Sequence, residues 1–148
     1  MSISAKNFFT DDQQDAIKQA IMNAELDTSG EIRVHIENTC KGDVMNRAAY
    51  IFEKIDMHKT LLRNGVLIYL AIDNRKFAII GDKGINAVVP DNFWDTIKMG
   101  MLNRFRENQF TEGLCESISQ IGILLKTKFP RLTDDINELP DEISFGKE

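Results

Sequence analysis

The chain has 148 residues, 43% of them hydrophobic, with nine glycines and three prolines, enough for one domain with a core that needs no staples. Its 18 Lys and Arg against 23 Asp and Glu give a net charge of -5, which speaks against a phosphate-backbone binder because no basic stripe offsets that balance. No stretch approaches the roughly 18 uninterrupted apolar residues of a membrane span. The start, MSISAKNFFTDDQQ, shows no export signal, and Cys40 and Cys115 stand apart without a C-x-x-C context. A cytoplasmic protein with free thiols is predicted.

Thr10 and Gln13 have the spacing of a capping box, with Asp11 and Asp12 in the first turn behind them, so a helix should open there. Ala16, Ile17, Ala20, Ile21 and Ala24 give it a narrow stripe of small residues, and it should end near Thr28-Ser29-Gly30. From Glu31 to Asn38 the pattern alternates. Ile32, Val34 and Ile36 face one way and Glu31, Arg33, His35 and Glu37 the other, which predicts a half-exposed strand at a sheet edge. Asp43 then caps a helix marked by Val44, Ala48, Ile51, Phe52 and Ile55. Strand, helix, strand implies a right-handed crossover and parallel pairing.

Asn64 to Gly84, NGVLIYLAIDNRKFAIIGDKG, reads as a β-hairpin. Val66 to Ile72 are seven consecutive apolar residues, as suits a central strand covered on both faces. Asp73-Asn74, both tolerant of positive φ, predict a tight primed-type turn into Lys76 to Ile80. Beyond Gly81-Asp82-Lys83-Gly84, Asp91 is placed to cap a helix carrying Phe93, Trp94, Ile97 and Met101 inward. A last helix opens at Thr111, buries Leu114, Ile118, Ile121, Leu125 and Phe129, and stops at Pro130. The body is thus residues 1–130, followed by an acidic tail, 131–148, in which Ile136, Leu139, Ile143 and Phe145 leave room for a docked segment. The fold class is α/β, a small mixed sheet of three to four strands flanked by helices.

If the first two strands are parallel and the third runs back, Gly30-Glu31, Arg63-Asn64-Gly65 and Gly81-Asp82-Lys83-Gly84 meet at one sheet end, with Asp91 close behind in sequence. Glu31, Asn64, Asp82 and Asp91 offer the oxygens that hard cations such as calcium or magnesium take, though not at EF-hand spacing. Each carboxylate also has a local duty: Asp91 as a cap, Asp82 in a turn, Glu31 in water. His35 and His58 have no second His or Cys at zinc-ligand spacing. There is no P-loop, dinucleotide fingerprint or nucleophile elbow. Cys40 lacks the arginine of a cysteine-phosphatase loop, since Asn46 stands there. Arg63 or Lys83 beside a bound cation would suit a metal-dependent phosphatase. The polar face of the first strand and the acidic tail would suit a protein-interaction adaptor.

The G-E-I strand start, the N-G-V-L-I-Y-L run, the D-N-R turn, G-D-K-G and the P-D before a helix resemble the TPM domain, from Asp11 to Phe129. That resemblance implies a Rossmann-like α/β/α sandwich, divalent-metal binding with calcium favoured, and a phosphatase activity that not every member need have. The family's carboxylate positions fall on Glu31, Asp82 and Asp91, and its asparagine on Asn64. Family members commonly carry an export signal in front and a membrane segment or low-complexity tail behind. Their lack here implies a stand-alone cytoplasmic domain acting through a partner. The reading that follows is a calcium-binding module without a catalytic residue to name, with the phosphatase and the adaptor as alternatives.

Overall fold

A computed structural model describes residues 4–131 and 143–146; Ile136 and Leu139 of the tail lie outside the described residues. After a short α1 (Ala5–Phe8), the predicted capping box opens α2 (Asp11–Glu25). Thr10 Oγ1 accepts from the Gln13 amide at 3.1 Å and Gln13 Oε1 from the Thr10 amide at 2.9 Å. Thr10→Ala is therefore expected to lower stability by about 1 kcal/mol, seen as a lower urea midpoint at unchanged slope.

The chain continues through β1 (Glu31–Glu37), α3 (Val44–Lys54), a 3-10 turn at Met57–Lys59, β2 (Gly65–Ala71), β3 (Lys76–Gly81), α4 (Lys83–Asn86), α5 (Phe93–Arg106), α6 (Phe110–Lys128) and β4 (Ile143–Phe145). Asp43 caps α3 as predicted, accepting from the Asn46 amide at 2.9 Å. The four strands form one sheet in the order β3-β2-β1-β4. β1 runs parallel to β2, from Glu31 opposite Gly65 to Glu37 opposite Ala71, and parallel to β4, with Val34 opposite Ile143. β3 returns antiparallel. All of β2 is buried, as an unbroken apolar run requires.

One face of the sheet presents Ile32, Val34, Ile36, Val66, Ile68 and Leu70 to α2, α5 and α6. The other packs Leu67, Tyr69 and Ala78 beneath Ala48, Ile51 and Phe52 of α3. The small residues of α2 permit a close approach to α6, where a Cβ on Gly122 would come within 2.6 Å of Ala24 Cβ.

Several expectations change. β1 is interior, because β4 pairs on its free side. Alternation reports that a face is polar; it does not report whether water or protein covers it. The hairpin turn spans Ile72 to Arg75, closed by the Arg75 amide on the Ile72 carbonyl at 3.3 Å, and the positive φ falls on Arg75 rather than on Asp73 or Asn74. Asn74 instead accepts from the Cys40 amide at 2.6 Å, tying the hairpin to the loop after β1. Asp91 caps nothing: the Pro90 carbonyl takes the Phe93 amide at 3.0 Å, which moves the N-cap of α5 to Asn92, without a side-chain cap bond. α6 opens at Phe110, one residue ahead of Thr111, and also lacks a side-chain cap. Cys40 and Cys115 are free. No helix among the described residues is long and apolar enough to cross a membrane.

Candidate functional site

At the amino ends of β1 and β2 the predicted loops do meet, stitched by backbone hydrogen bonds. The Glu31 amide donates to the Asn64 carbonyl at 3.3 Å, the Asp82 amide to Gly65 at 2.9 Å and the Gly84 amide to Arg63 at 2.9 Å. Gly84 is where the close approach demands glycine, since a Cβ there would strike the Leu62 and Arg63 carbonyl oxygens.

Glu31, Asn64 and Asp82 are all buried at this end. Asn64 Nδ2 donates to Ser29 Oγ at 3.1 Å and its backbone amide to Thr60 Oγ1 at 3.0 Å, whereas Asn64 Oδ1 is buried without a hydrogen-bond partner. Asp82 is engaged on both oxygens by Arg63, at 2.7 and 2.9 Å, and also accepts from the Lys83 amide at 2.8 Å to start α4. Glu25, a carboxylate the sequence did not single out, is buried at the end of α2 and accepts from the Ile32 amide at 2.7 Å. Asp91 is exposed and lines a separate hollow with Pro90, Phe93, Ile97 and Gln120.

For a hard cation the fit is uneven. Asn64 Oδ1 is a buried oxygen without a partner, Glu31 is a buried carboxylate beside it, Asp82 is paired with an arginine, and Asp91 stands outside. Among the described residues no three His, Cys, Asp or Glu side chains gather as a metal-holding group.

The opposite end of the sheet holds what the sequence reading missed. His35 and Glu37, assigned to the polar face of β1, are only 4% and 5% exposed, because α3 and β4 cover them. Arg47 of α3 grips Glu37 through Nε at 3.0 Å and Nη2 at 2.5 Å, and the Tyr69 hydroxyl donates to it at 2.6 Å. Burial opposes ionisation of Glu37, but the bonds from Arg47 and then Tyr69 outweigh it and hold its pKa at about 2. Burial is also the chief cause that lowers the His35 pKa below 6.5, against the pull of Glu37.

His35 Nε2 lies 3.3 Å from Glu37 Oε1, and Nδ1 lies 2.6 Å from Ser144 Oγ of β4. An ionised carboxylate only accepts, so the network assigns the ring hydrogen to Nε2 and leaves Nδ1 to accept from the Ser144 hydroxyl. The signal in the sequence was the same-face spacing His35-x-Glu37; nothing in it pointed to Ser144, 109 positions away. These groups line a cleft of about 860 Å³ with Asn38, Lys41 and Lys54.

The TPM domain family model matches residues 3–123. No curated protein matches the sequence. Among solved structures, the NMR structure of the BA42 protein from the psychrophilic bacterium Bizionia argentinensis is 47% identical, and the match covers 95% of this chain and 97% of that one with a TM-score of 0.88. The N-terminal domain of a protein from P. gingivalis is 17% identical over 83% of this chain and 80% of that one, with a TM-score of 0.68. The N-terminal domain of cg2496 from Corynebacterium glutamicum is 13% identical over 80% and 74%, with a TM-score of 0.64. Those two share the fold. A family match over most of the sequence, joined to near full-length likeness to BA42, leads to one conclusion: this chain belongs to the TPM domain family.

Proposed function

We propose that the chain is a divalent-cation-binding module, calcium favoured and magnesium the alternative, with Glu31 and Asn64 supplying oxygens at the amino ends of β1 and β2. The observation that carries this reading is the buried, unpartnered Asn64 Oδ1. An unmet buried acceptor costs about 1–3 kcal/mol, and a hard cation is the kind of partner that amide oxygens satisfy. The Glu31 carboxylate starts the strand beside it, with Glu31 opposite Gly65 in register. Asp82, held by Arg63, and Asp91, exposed in its own turn, stand outside this inner set. A bound ion would supply charge that ties the Glu31 and Asn64 loops together and favours the native state. A phosphatase would need an oriented base at this end, and Asp82, suited to that role, is locked by two bonds to Arg63; the module is preferred for that reason.

The test is a calcium titration of metal-stripped protein followed by amide shifts, with a phosphate-ester assay on the same sample. Shifts confined to Gly30-Glu31 and Asn64-Gly65, together with a loss of affinity of about tenfold or more in a folded Glu31→Gln variant, are expected. An absence of shifts with calcium and with magnesium sinks the module. Turnover that rises with metal occupancy would put the phosphatase in its place.

A further inference from the structure

We propose that the cleft at the carboxyl ends of β1 and β4 is an ester-hydrolysing site: Ser144 is the nucleophile, His35 its base and Glu37 the group that orients the ring, acting on small carboxylic esters that carry a negative charge. The position is the first support. β1 lies between two parallel neighbours and the chain leaves it through α3 towards β2. The crevice outside the carboxyl ends of such strands is where open α/β sheets bind ligands. A cleft of about 860 Å³ lies there, and Ser144, His35 and Glu37 all line it.

The geometry is the second support. A nucleophile is recognised by a base within hydrogen-bond reach that is itself oriented by a third group. Ser144 Oγ is 2.6 Å from His35 Nδ1, while its alternative acceptor, the Val34 carbonyl, is 3.5 Å away. Glu37 holds Nε2 from the other side at 3.3 Å and is itself fixed by Arg47 and Tyr69. The imidazole also stacks on Tyr69, centroids 6.2 Å apart and planes 13° from parallel, so the ring cannot easily turn away from the serine.

The substrate class follows from the charges. Lys41, Arg47 and Lys54 line the cleft against Glu37 and Asp43. Glu37 is paired with Arg47, and Asp43 keeps its charge while it caps α3, so Lys41 and Lys54 outnumber the one remaining carboxylate and leave the rim net cationic on an acidic protein. In the reaction, Ser144 Oγ bonds to the carbonyl carbon and its proton passes to His35 Nδ1. The ester C–O bond then breaks, the departing alkoxide takes that proton, and an acyl ester remains on Ser144. Water, giving a proton to the same nitrogen, displaces the acyl group as the free acid, and the proton returns to Ser144. The oxyanion charge falls to Arg47, which grips Glu37 through Nε and Nη2 and has Nη1 outside that pair.

The test uses the full chain with p-nitrophenyl acetate, the mono-p-nitrophenyl ester of succinate and a fluorophosphonate probe. Hydrolysis of the succinate half-ester is expected to fall about 100-fold or more in Ser144→Ala, whose amide spectrum should stay native. Mass spectrometry should place a single fluorophosphonate adduct on Ser144, and His35→Gln should abolish it. If His35→Gln does not fold, the Ser144→Ala comparison decides alone. Absence of turnover, turnover unchanged in Ser144→Ala, or an adduct on another residue overturns the site. Faster turnover of the acetate than of the half-ester overturns the charge preference.

Discussion

Arg47→Met is expected to lower stability at neutral pH by about 2 kcal/mol. Removing one partner of a fully buried ion pair costs about 3–5 kcal/mol, but the Arg47 side chain is 40% exposed, against 7% for the Glu37 side chain. Water would reach the vacated side and offset part of the loss. The effect has a definite pH signature. Glu37 titrates at about 2 in the native protein against an ordinary 4.5, so its contribution is complete above the ordinary value and disappears as pH falls towards 2. His35 works in the same sense over an earlier window, since its native pKa lies below 6.5 and stability falls as the unfolded chain takes up the proton first. In the variant the Glu37 pKa should rise, and the two proteins should converge in stability at low pH. Urea midpoints at neutral and acid pH, with the Glu37 carboxyl carbon shift followed by NMR, read both outcomes. Equal midpoints at neutral pH would mean that the pair contributes nothing net.

Gly84→Ala is the other large effect, about 2–3 kcal/mol, at the upper end of overpacking costs because backbone rather than side chain stands in the way. The added methyl would meet the Leu62 and Arg63 carbonyl oxygens, and those residues lead directly into Asn64. The same substitution at Gly100 in α5 meets nothing within 4 Å and should raise stability by about 0.5–1 kcal/mol. If calcium is bound as proposed, Gly84→Ala should weaken it by displacing the Asn64 loop, whereas Gly100→Ala should leave affinity unchanged. Thermal midpoints and the amide shifts of Arg63, Asn64 and Gly65 distinguish the two. Equal midpoints for both variants would show that the loop yields freely.

What was legible in the sequence came from local rules. The Thr10–Gln13 box, the Asp43 cap, the buried run of β2 and the parallel β1–α3–β2 unit each follow from residues within a few turns of one another. Convergence of the Glu31, Asn64 and Asp82 loops followed from strand direction alone. Pairings between distant residues were not legible. Arg63 sits 19 positions from the Asp82 it neutralises, and the union of His35 with Ser144 depends on a strand that adds to the sheet from the far end of the chain. Asp91 misled because an acidic residue after proline looks like a helix start, while the turn closed by the Pro90 carbonyl carries the chain one residue further before the helix begins.

The pairing of β4 with β1 also bears on self-association while the chain is being made. β1 leaves the ribosome long before β4. In the interval the amides and carbonyls around Val34 and Ile36 form an open template on which another nascent chain could add a strand. β4 covers the Val34–Ile36 part of that template, and its own edge of only three residues is too short to recruit a neighbour efficiently. The same three residues that bring Ser144 to His35 therefore also guard the sheet against self-association, and loss of the strand would be felt in solubility as well as in the cleft.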